Sequence, residues 1–499
     1  MRRWGTLTAV CLGTFMLLLD VTIVVVALPD MAGALHASLS DLQWVVDGYA
    51  LALAALLLGV GAAADILGRR RVHVAGVVLF AVASLLCGLA SGPGVLVAAR
   101  ALQGVGAAAM FATTLPLLGS VYQGPQRSAA LGVWGAVSGG AAAVGPVLGG
   151  LLTEGPGWRW IFFVNLPVSV VEVWLTLRVV PESRGPRGMR VDWAGTAAFA
   201  GFAGGVTYAV VRAGEDGWTA PWALTAFACA ALALVVFVLV ERRAAHPLLD
   251  LALLRKPAFV GVMAGAFAFN GVAFGVTPYL SIWMQTLLGM SPVRSGLTLL
   301  PLTVAAMIVA VLVGRLLHGV PARLTIGGGL LLIGSGNLCQ AVLDAGSGWT
   351  ALVPGFVLVG VGTGFVSPTV AGAALAAVPT ERAGMAGGAV NTVRQLGYAL
   401  GVAVFGTVLT SRMTGTLPHG AAHALAGGEA AALRGSVSGH TLRAAFASGL
   451  NGTLVVAGLL GIAAGALVLL LVRTPRAQRT AVTNSAPATQ TEKTTVPHT

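Results

Sequence analysis

Long apolar runs, each closed by a few polar residues, repeat along this chain. They fall near residues 6–28, 42–64, 72–91, 94–120, 128–153, 161–180, 192–212, 219–240, 258–286, 292–317, 321–343, 349–378, 385–411 and 445–472. Crossing the hydrocarbon core takes about 20 mostly apolar residues, so the pattern predicts fourteen membrane spans. They should be helices, because lipid offers no hydrogen-bond partners and a helix satisfies its own backbone. The first run starts behind "MRRW" like a secretory signal. It continues through Asp20 to Leu28 with no small-residue cleavage site after it, and is expected to stay as the first span.

Composition strengthens this reading. The 499 residues are 57% hydrophobic and 9% charged, with a mean hydropathy of +0.88. A soluble chain of this length has no way to hide so much apolar surface. The net charge of +12 would suit a nucleic-acid partner, but its distribution points elsewhere. With the N-terminus inside, twenty-one of the 29 Lys and Arg residues fall in cytoplasmic segments and six in external ones. Arg100 and Arg394 lie within spans. Basic residues stay on the cytoplasmic side, so the charge reads as topology, with both ends inside and no nucleic acid. Cys11, Cys87, Cys229 and Cys339 are far apart in apolar runs, without a CxxC pair, and read as packing residues.

The connections divide the chain. Spans 1–6 and 9–14 share the order of their connecting motifs: "GAAADILGRRR" from Gly61 against "GRLLHGVPAR" from Gly314, and "QRSAALG" against "ERAGMAG". Internal repeats of this kind are common in transporters. The expected units are a six-helix half at 1–180, a linker with two extra helices at 181–256 (about 192–212 and 219–240), a six-helix half at 257–472 and a disordered cytoplasmic tail at 473–499. Residues 412–440 read as an external loop.

Four stretches carry candidate chemistry. In "GVGAAADILGRRRV", three arginines hold a loop inside, but topology alone needs neither Asp65 nor Gly61 and Gly68. Those glycines allow close backbone approach and a tight turn, and Asp65 can accept charge-assisted hydrogen bonds. In "LVAARALQGVGAA", Arg100 is costly inside a bilayer; it either snorkels outward or serves a buried site with Gln103. "GVWGAVSGGAAAVGPVLGG" places Gly132, Gly145, Pro146, Gly149 and Gly150 on one span, for close packing and for bending. In "LDVTIVVVALP", Asp20 must pair or protonate. By helix counting, Asp20 and Arg100 share a layer, roughly 12 and 9 Å below the outer end.

Further charges lie in the spans. Asp47 is five residues into span 2, where it can reach the outer interface or act as a secondary acid. Glu172 is near the middle of span 6, as a substrate or proton site or facing another helix. Asn391 and Arg394 in span 13 are expected to face a central cavity with Gln103.

With these motifs the chain resembles the major facilitator superfamily, and within it the fourteen-helix drug:proton antiporters. Residues 61–71 follow the family pattern G-x-L-A-D-R-x-G-R-R-R, departing at Ala63 and Ile66. Residues 96–108 match L-x-x-x-R-x-x-Q-G-x-G-A-A, and 132–150 match the antiporter signature with Ala141 for one glycine. Residues 19–29 match L-D-x-T-V-V-N-V-A-L-P with Val25 for Asn. The resemblance implies the two-halves-plus-two-helices fold. It makes Gly61, Asp65, Gly68, Arg69, Arg70 and Arg71 a conformational latch. It also makes Gly132 to Gly150 the gate helix of an exporter.

The expectation is a proton-driven exporter of small amphipathic compounds, plausibly an antibiotic, acting by alternating access in the cell membrane. Asp20 would carry the proton, with Arg100, Asp47 and Glu172 in support. With the external side open, Asp65 should lie near the first turn of span 13, around Ala383–Met385, or pair with a basic residue there. No GxxxxGK[ST] for ATP, metal cluster or hydrolase motif is present, so neither cofactor nor enzymatic activity is expected, and a monomer suffices. The alternatives are an exporter or importer of a native metabolite or lipid on the same fold, and a membrane sensor that transports nothing.

Overall fold

The computed structural model describes residues 2–122, 125–185, 191–244, 247–316, 320–376, 378 and 383–472. Among these the chain is helical, without strands. The spans are α1 Arg2–Leu35, α2 Leu39–Leu67, α3 Arg69–Gly88, α4 Pro93–Val121, α5 Pro125–Glu154, α6 Trp160–Val179, α7 Trp193–Asp216, α8 Pro221–Arg243, α9 Pro257–Leu287, α10 Pro292–Thr298 continued by Leu300–Leu316, α11 Ala322–Gln340, α12 Val353–Ala376, α13 Ala383–Met413 and α14 Gly439–Leu471. Thirteen are long and apolar enough to cross a membrane. The exception, α11, carries Arg323, Asn337 and Gln340. It is nonetheless built into the bundle, where Gly327 and Gly334 sit against the α14 carbonyls of Gly465 and Gly458. An even number of spans returns the chain to its starting side.

Local chemistry sets the helix ends. Ser38 and Asp41 form a capping box that opens α2. Gly68 ends α2 at φ +114°, a conformation that side chains disfavour, and α3 starts at the next residue. Span 6 breaks at Val164, and α9 ends in a π-helical turn, Trp283–Leu287.

The helices form two six-helix bundles, α1–α6 and α9–α14. Three seams join them. Along the first, Gln43 of α2 donates to the Tyr279 hydroxyl and the Val402 carbonyl, at 2.9 and 3.3 Å, and Thr392 of α13 donates to the Ala54 carbonyl at 3.2 Å. In the second, Gln285 of α9 donates to the Val26 carbonyl of α1 at 2.8 Å. In the third, a Cβ at Gly150 of α5 would meet the backbone of Pro292 and Val293, and one at Gly296 the Pro146 carbonyl. That third contact seals the external ends of α5 and α10. Toward the cytoplasm, Gly132, Gly135, Gly139 and Gly140 of α5 have open space where a Cβ would stand. The arrangement is closed on the external side.

The extra helices pack on the bundles, α7 lying on the α2–α13 seam, and one expectation, the external loop, needs correction. Thr407 of α13 donates to the Val210 carbonyl at 3.3 Å, and Gly59 of α2 leaves room for Thr196. The external loop at 412–440 is largely helical. It holds His419–Ala426 and Ala430–Leu433 and buries Leu417, Ala422, Leu425 and Ala430. Its short Ala- and Leu-rich stretches are too brief to span but apolar enough to dock. His318, Arg382 and the tail from Arg473 lie outside the described residues.

The cap carries a titratable pair, since the His419 and His423 rings stack at 5.7 Å. Burial first, then the neighbouring imidazole, hold the His423 pKa below the usual histidine value. The folded cap therefore binds this proton less readily than the unfolded segment does. Its stability falls as external pH drops from the ordinary imidazole value, about 6.5, toward the lowered one. Limited proteolysis within 414–438 should accelerate as pH falls through that window, and His423→Gln should flatten the dependence.

Candidate functional site

The external half of the first bundle contains a closed polar cluster. Asp20 of α1 is fully buried and Arg100 of α4 is 2% exposed. Arg100 Nη1 donates to Asp20 Oδ2 at 2.5 Å and to Gln103 Oε1 at 2.7 Å, and its Nε donates to the Val45 carbonyl at 3.1 Å. Gln103 Nε2 and Asn165 Nδ2 donate to Asp20 Oδ1 at 2.9 and 3.1 Å. Asn165 also donates to Ser84 Oγ, and the guanidinium lies 4.4 Å from the Tyr49 ring centroid. Arg100 and Gln103 are three residues apart, so one face of α4 presents both. Every group aimed at Asp20 is a donor, which is the environment of an ionised carboxylate.

This geometry rules out the snorkelling alternative for Arg100. It also corrects Gln103, which is fully buried inside one bundle rather than facing a central cavity. Asn165, Ser84 and Tyr49 were not singled out from the sequence. Asn165, an amide inside the apolar run "FFVNLP", was the available signal.

Asp47 does not reach the outer interface. It is fully buried on α2, one turn past Gln43, and neither carboxylate oxygen has a hydrogen-bond partner among the described residues. Glu172 faces another helix. It is fully buried and meets His73 of α3, Oε1 to Nε2, at 3.0 Å. In the second bundle, Asn391 donates to the Gly387 carbonyl of its own helix at 3.1 Å. Arg394 donates to Asn270 Oδ1 at 3.2 Å with the Phe269 ring 5.2 Å away, and no carboxylate pairs with it among the described residues.

At the cytoplasmic end, Asp65 pairs with Arg69, Oδ1 to Nε, at 2.7 Å. The loop is also stitched to the segment after α6. Arg69 N donates to the Ser183 carbonyl, Gly185 N to the Asp65 carbonyl, and Arg70 N to Glu182 Oε1. Arg70 and Arg71 approach the same Glu182 carboxylate at 3.9 and 3.7 Å. Glu182 went unnoticed in the linker, although an acid beside three arginines had a purpose to be asked after. A Cβ at Gly61 would make only ordinary contact with Ala112. On the gate helix, Gly145 and Gly149 bring α5 against Thr22 and Ile23 of α1. Among the described residues, no cluster of three His, Cys, Asp or Glu is placed to hold a metal ion.

Two facing bundles, sealed externally and with charges buried inside them, define a multi-pass membrane transporter of small molecules. The chain belongs to the major facilitator superfamily, whose family model matches residues 10–402. It is 38% identical to the puromycin resistance protein pur8 of Streptomyces alboniger, over 98% of this chain and 95% of that one. It is 37% identical to the multidrug resistance protein Stp of Mycobacterium tuberculosis, over 83% of this chain and 77% of that one. The tetracenomycin C resistance and export protein of Streptomyces glaucescens is 36% identical over 84% of this chain and 78% of its own length. A bacterial homolog of the human lysosomal transporter spinster shares the fold, with a TM-score of 0.66 at 17% identity, over 95% of this chain and 97% of that one. The chain resides in the cell membrane.

Removing one partner of a buried ion pair strands the other charge, at a cost of about 3–5 kcal/mol. Arg100→Ala should therefore lower the melting temperature of the purified protein markedly. Arg100→Lys should not restore it, because an ammonium cannot hold Asp20, Gln103 and the Val45 carbonyl in one fork.

Proposed function

We propose that this protein is a drug:proton antiporter that exports small amphipathic compounds, antibiotics among them, by alternating access. The observation that carries the reading is Asp20: a fully buried carboxylate in an externally closed arrangement, surrounded only by donors. An antiporter must have given up its proton before it takes substrate from the cytoplasm, and an ionised Asp20 is that state. Reloading from outside would protonate the carboxylate, weaken its hold on Arg100 and favour the externally open arrangement. The relatives named for resistance and export support the direction of transport.

The two halves, 1–180 and 257–472, rock about the seams in a monomer, carrying the helices of 181–256 with them. One charge crossing ~100 mV releases about 2.3 kcal/mol, and a further ~0.5 pH unit adds roughly 0.7. About 3 kcal/mol sustains roughly a hundredfold gradient of a neutral compound, enough for self-protection.

The test is transport toward the external face, read as accumulation inside everted vesicles and as efflux from right-side-out proteoliposomes, over a panel that includes puromycin and ethidium. Substrate-driven proton release and uphill efflux are expected from the wild type. Asp20→Asn should abolish both while leaving downhill exchange. Normal proton release by that variant would make Asp20 structural, and substrate uptake in place of efflux would mark an importer.

Asp65 supplies a second prediction. In the externally closed arrangement it is held by Arg69. When the external side opens, we propose that it moves to the free amides of the first turn of α13, near Met385. Asp65→Asn should slow transport several-fold without reducing the amount of protein in the membrane, because the arginines that fix topology remain. Spin labels on α2 and α13 should show the externally open population lost.

A further inference from the structure

The long helical piece of α6, Asn165–Val179, is built inside out. Its buried residues are Asn165, Ser169, Glu172 and Thr176, all polar, while Val170, Val171, Trp174 and Leu177 are exposed. The buried four recur at helical spacing and form one stripe. The stripe begins at Asp20, which Asn165 touches, and descends toward the cytoplasm. Ser169 contacts Met16 of α1, and one turn lower Glu172 meets His73. A Cβ at Gly13 of α1 would collide with the Glu172 carboxylate, so α1 leaves the space it fills.

The hydrogen bonds fix the proton count. Thr113 Oγ1 lies 2.7 Å from the Ala109 carbonyl. Two oxygens that close need a proton between them, so the threonine hydroxyl donates to its own helix. His73 Nδ1, 2.8 Å from the same Oγ1, must then be the donor to it. This leaves Nε2 facing Glu172 Oε1 at 3.0 Å. A neutral Nδ1–H imidazole against a bare carboxylate would set lone pair against lone pair in a site 0–1% exposed. One further proton belongs between them, as imidazolium with carboxylate or as imidazole with carboxylic acid.

Among the described residues, no other charge is paired with the site. Of the titratable groups on the helices packed around it, Cys11 of α1 packs with Leu117 of α4 and with Tyr122 just beyond that helix. Arg178 of α6 lies over the Trp174 ring at 4.6 Å, and Arg69, Arg70 and Arg71 of α3 turn to Asp65 and Glu182. Asp20, Arg100 and Cys87 belong to the outer cluster. From Gly13 to Asp20 the path along α1 is seven residues, or roughly 10 Å.

We propose that His73 and Glu172 form a second proton-carrying site of the transport cycle, the cytoplasmic station of the path that begins at Asp20. This rests on the antiport reading above. The proton leaves the Asp20 carboxyl and is taken up between Glu172 Oε1 and His73 Nε2. From there it passes to cytoplasmic water near the end of the stripe, where the Thr176 hydroxyl has no partner among the described residues. On this reading the externally closed arrangement is the stage after that transfer, with donors around Asp20 and the shared proton on the lower pair.

Two measurements test this. The first needs no substrate. In lipid nanodiscs, 15N-histidine NMR resolves the eight histidines, and His73→Gln assigns one of them. Near neutral pH the His73 ring should show the shared proton, and Glu172→Gln should shift it to a neutral ring. A His73 ring with its only proton on Nε2 and a bare Nδ1 overturns the proposal, because the pair then carries no proton beyond the ring's own.

The second uses proteoliposomes, with puromycin or ethidium as the probe, whichever the wild type exports. Proton-driven uphill efflux should fall by roughly a hundredfold in both Glu172→Gln and His73→Gln, the scale of losing a positioned proton-transfer group. Downhill exchange should persist, and Glu172→Asp should recover part of the coupling. Full coupling in a folded His73→Gln or Glu172→Gln variant refutes the station. A wild type that moves the probe without protons instead overturns antiport and the coupling role of the pair together; the NMR result alone then decides whether the pair holds a proton.

Discussion

A charge inside a bilayer has to be answered from within the protein, because lipid answers nothing. The Asp20–Arg100 pair is where this constraint is met most completely, and much of the first bundle is arranged around it. Asn165 keeps α6 against α1, Ser84 and the Phe162 carbonyl bind α3 to α6, and Gln103 adds a second link from α4. Three helices, α1, α4 and α6, meet at this one carboxylate, and Asn165 carries the network on to α3 through Ser84. A change in its charge therefore reaches all four, which a surface ion pair would never achieve.

The bundles are unequal in this respect. The first holds Asp20, Arg100, Gln103 and Asn165 in one hydrogen-bonded network and pairs Glu172 with His73. The second is packed by glycines and backbone contact, as between α11 and α14, and its half-buried Arg394 is met by an amide and a ring instead of a carboxylate among the described residues. One half thus gathers its buried carboxylates with their partners, and the other presents a cation on a largely apolar scaffold. Asp47, buried on α2 without a hydrogen-bond partner among the described residues, sits where the two meet.

The spans and the two-bundle fold were legible because the bilayer sets the length of each apolar run. Even α11, diluted by Arg323, Asn337 and Gln340, showed through by its place between well-marked neighbours. The meeting of Asp20 and Arg100 was legible from depth alone. Partners contributed by other helices were not. His73 follows the arginine run so closely that it reads as part of the loop, and nothing in one helix announces that Glu172 on another points at it. Gln103 shows the same limit: its spacing from Arg100 fixed the shared face of α4 but not what that face opposes. The external cap was hidden because its helices are shorter than any hydropathy window.

The position of α7 makes the molecule one-sided. It covers the α2–α13 seam through Thr196, Val210 and Thr407. The opposite seam has no such cover: Val133 and Val144 of α5 and Ile308, Val311 and Leu312 of α10 are exposed. Two otherwise equivalent flanks of a pseudo-symmetric body are thereby distinguished, one shuttered and one bare. A greasy compound already dissolved in the inner leaflet meets a wall on one flank and a parting between helices on the other. Among the described residues, an extra helix thus stands between lipid and the bundle interface on the α2–α13 flank and not on the α5–α10 flank.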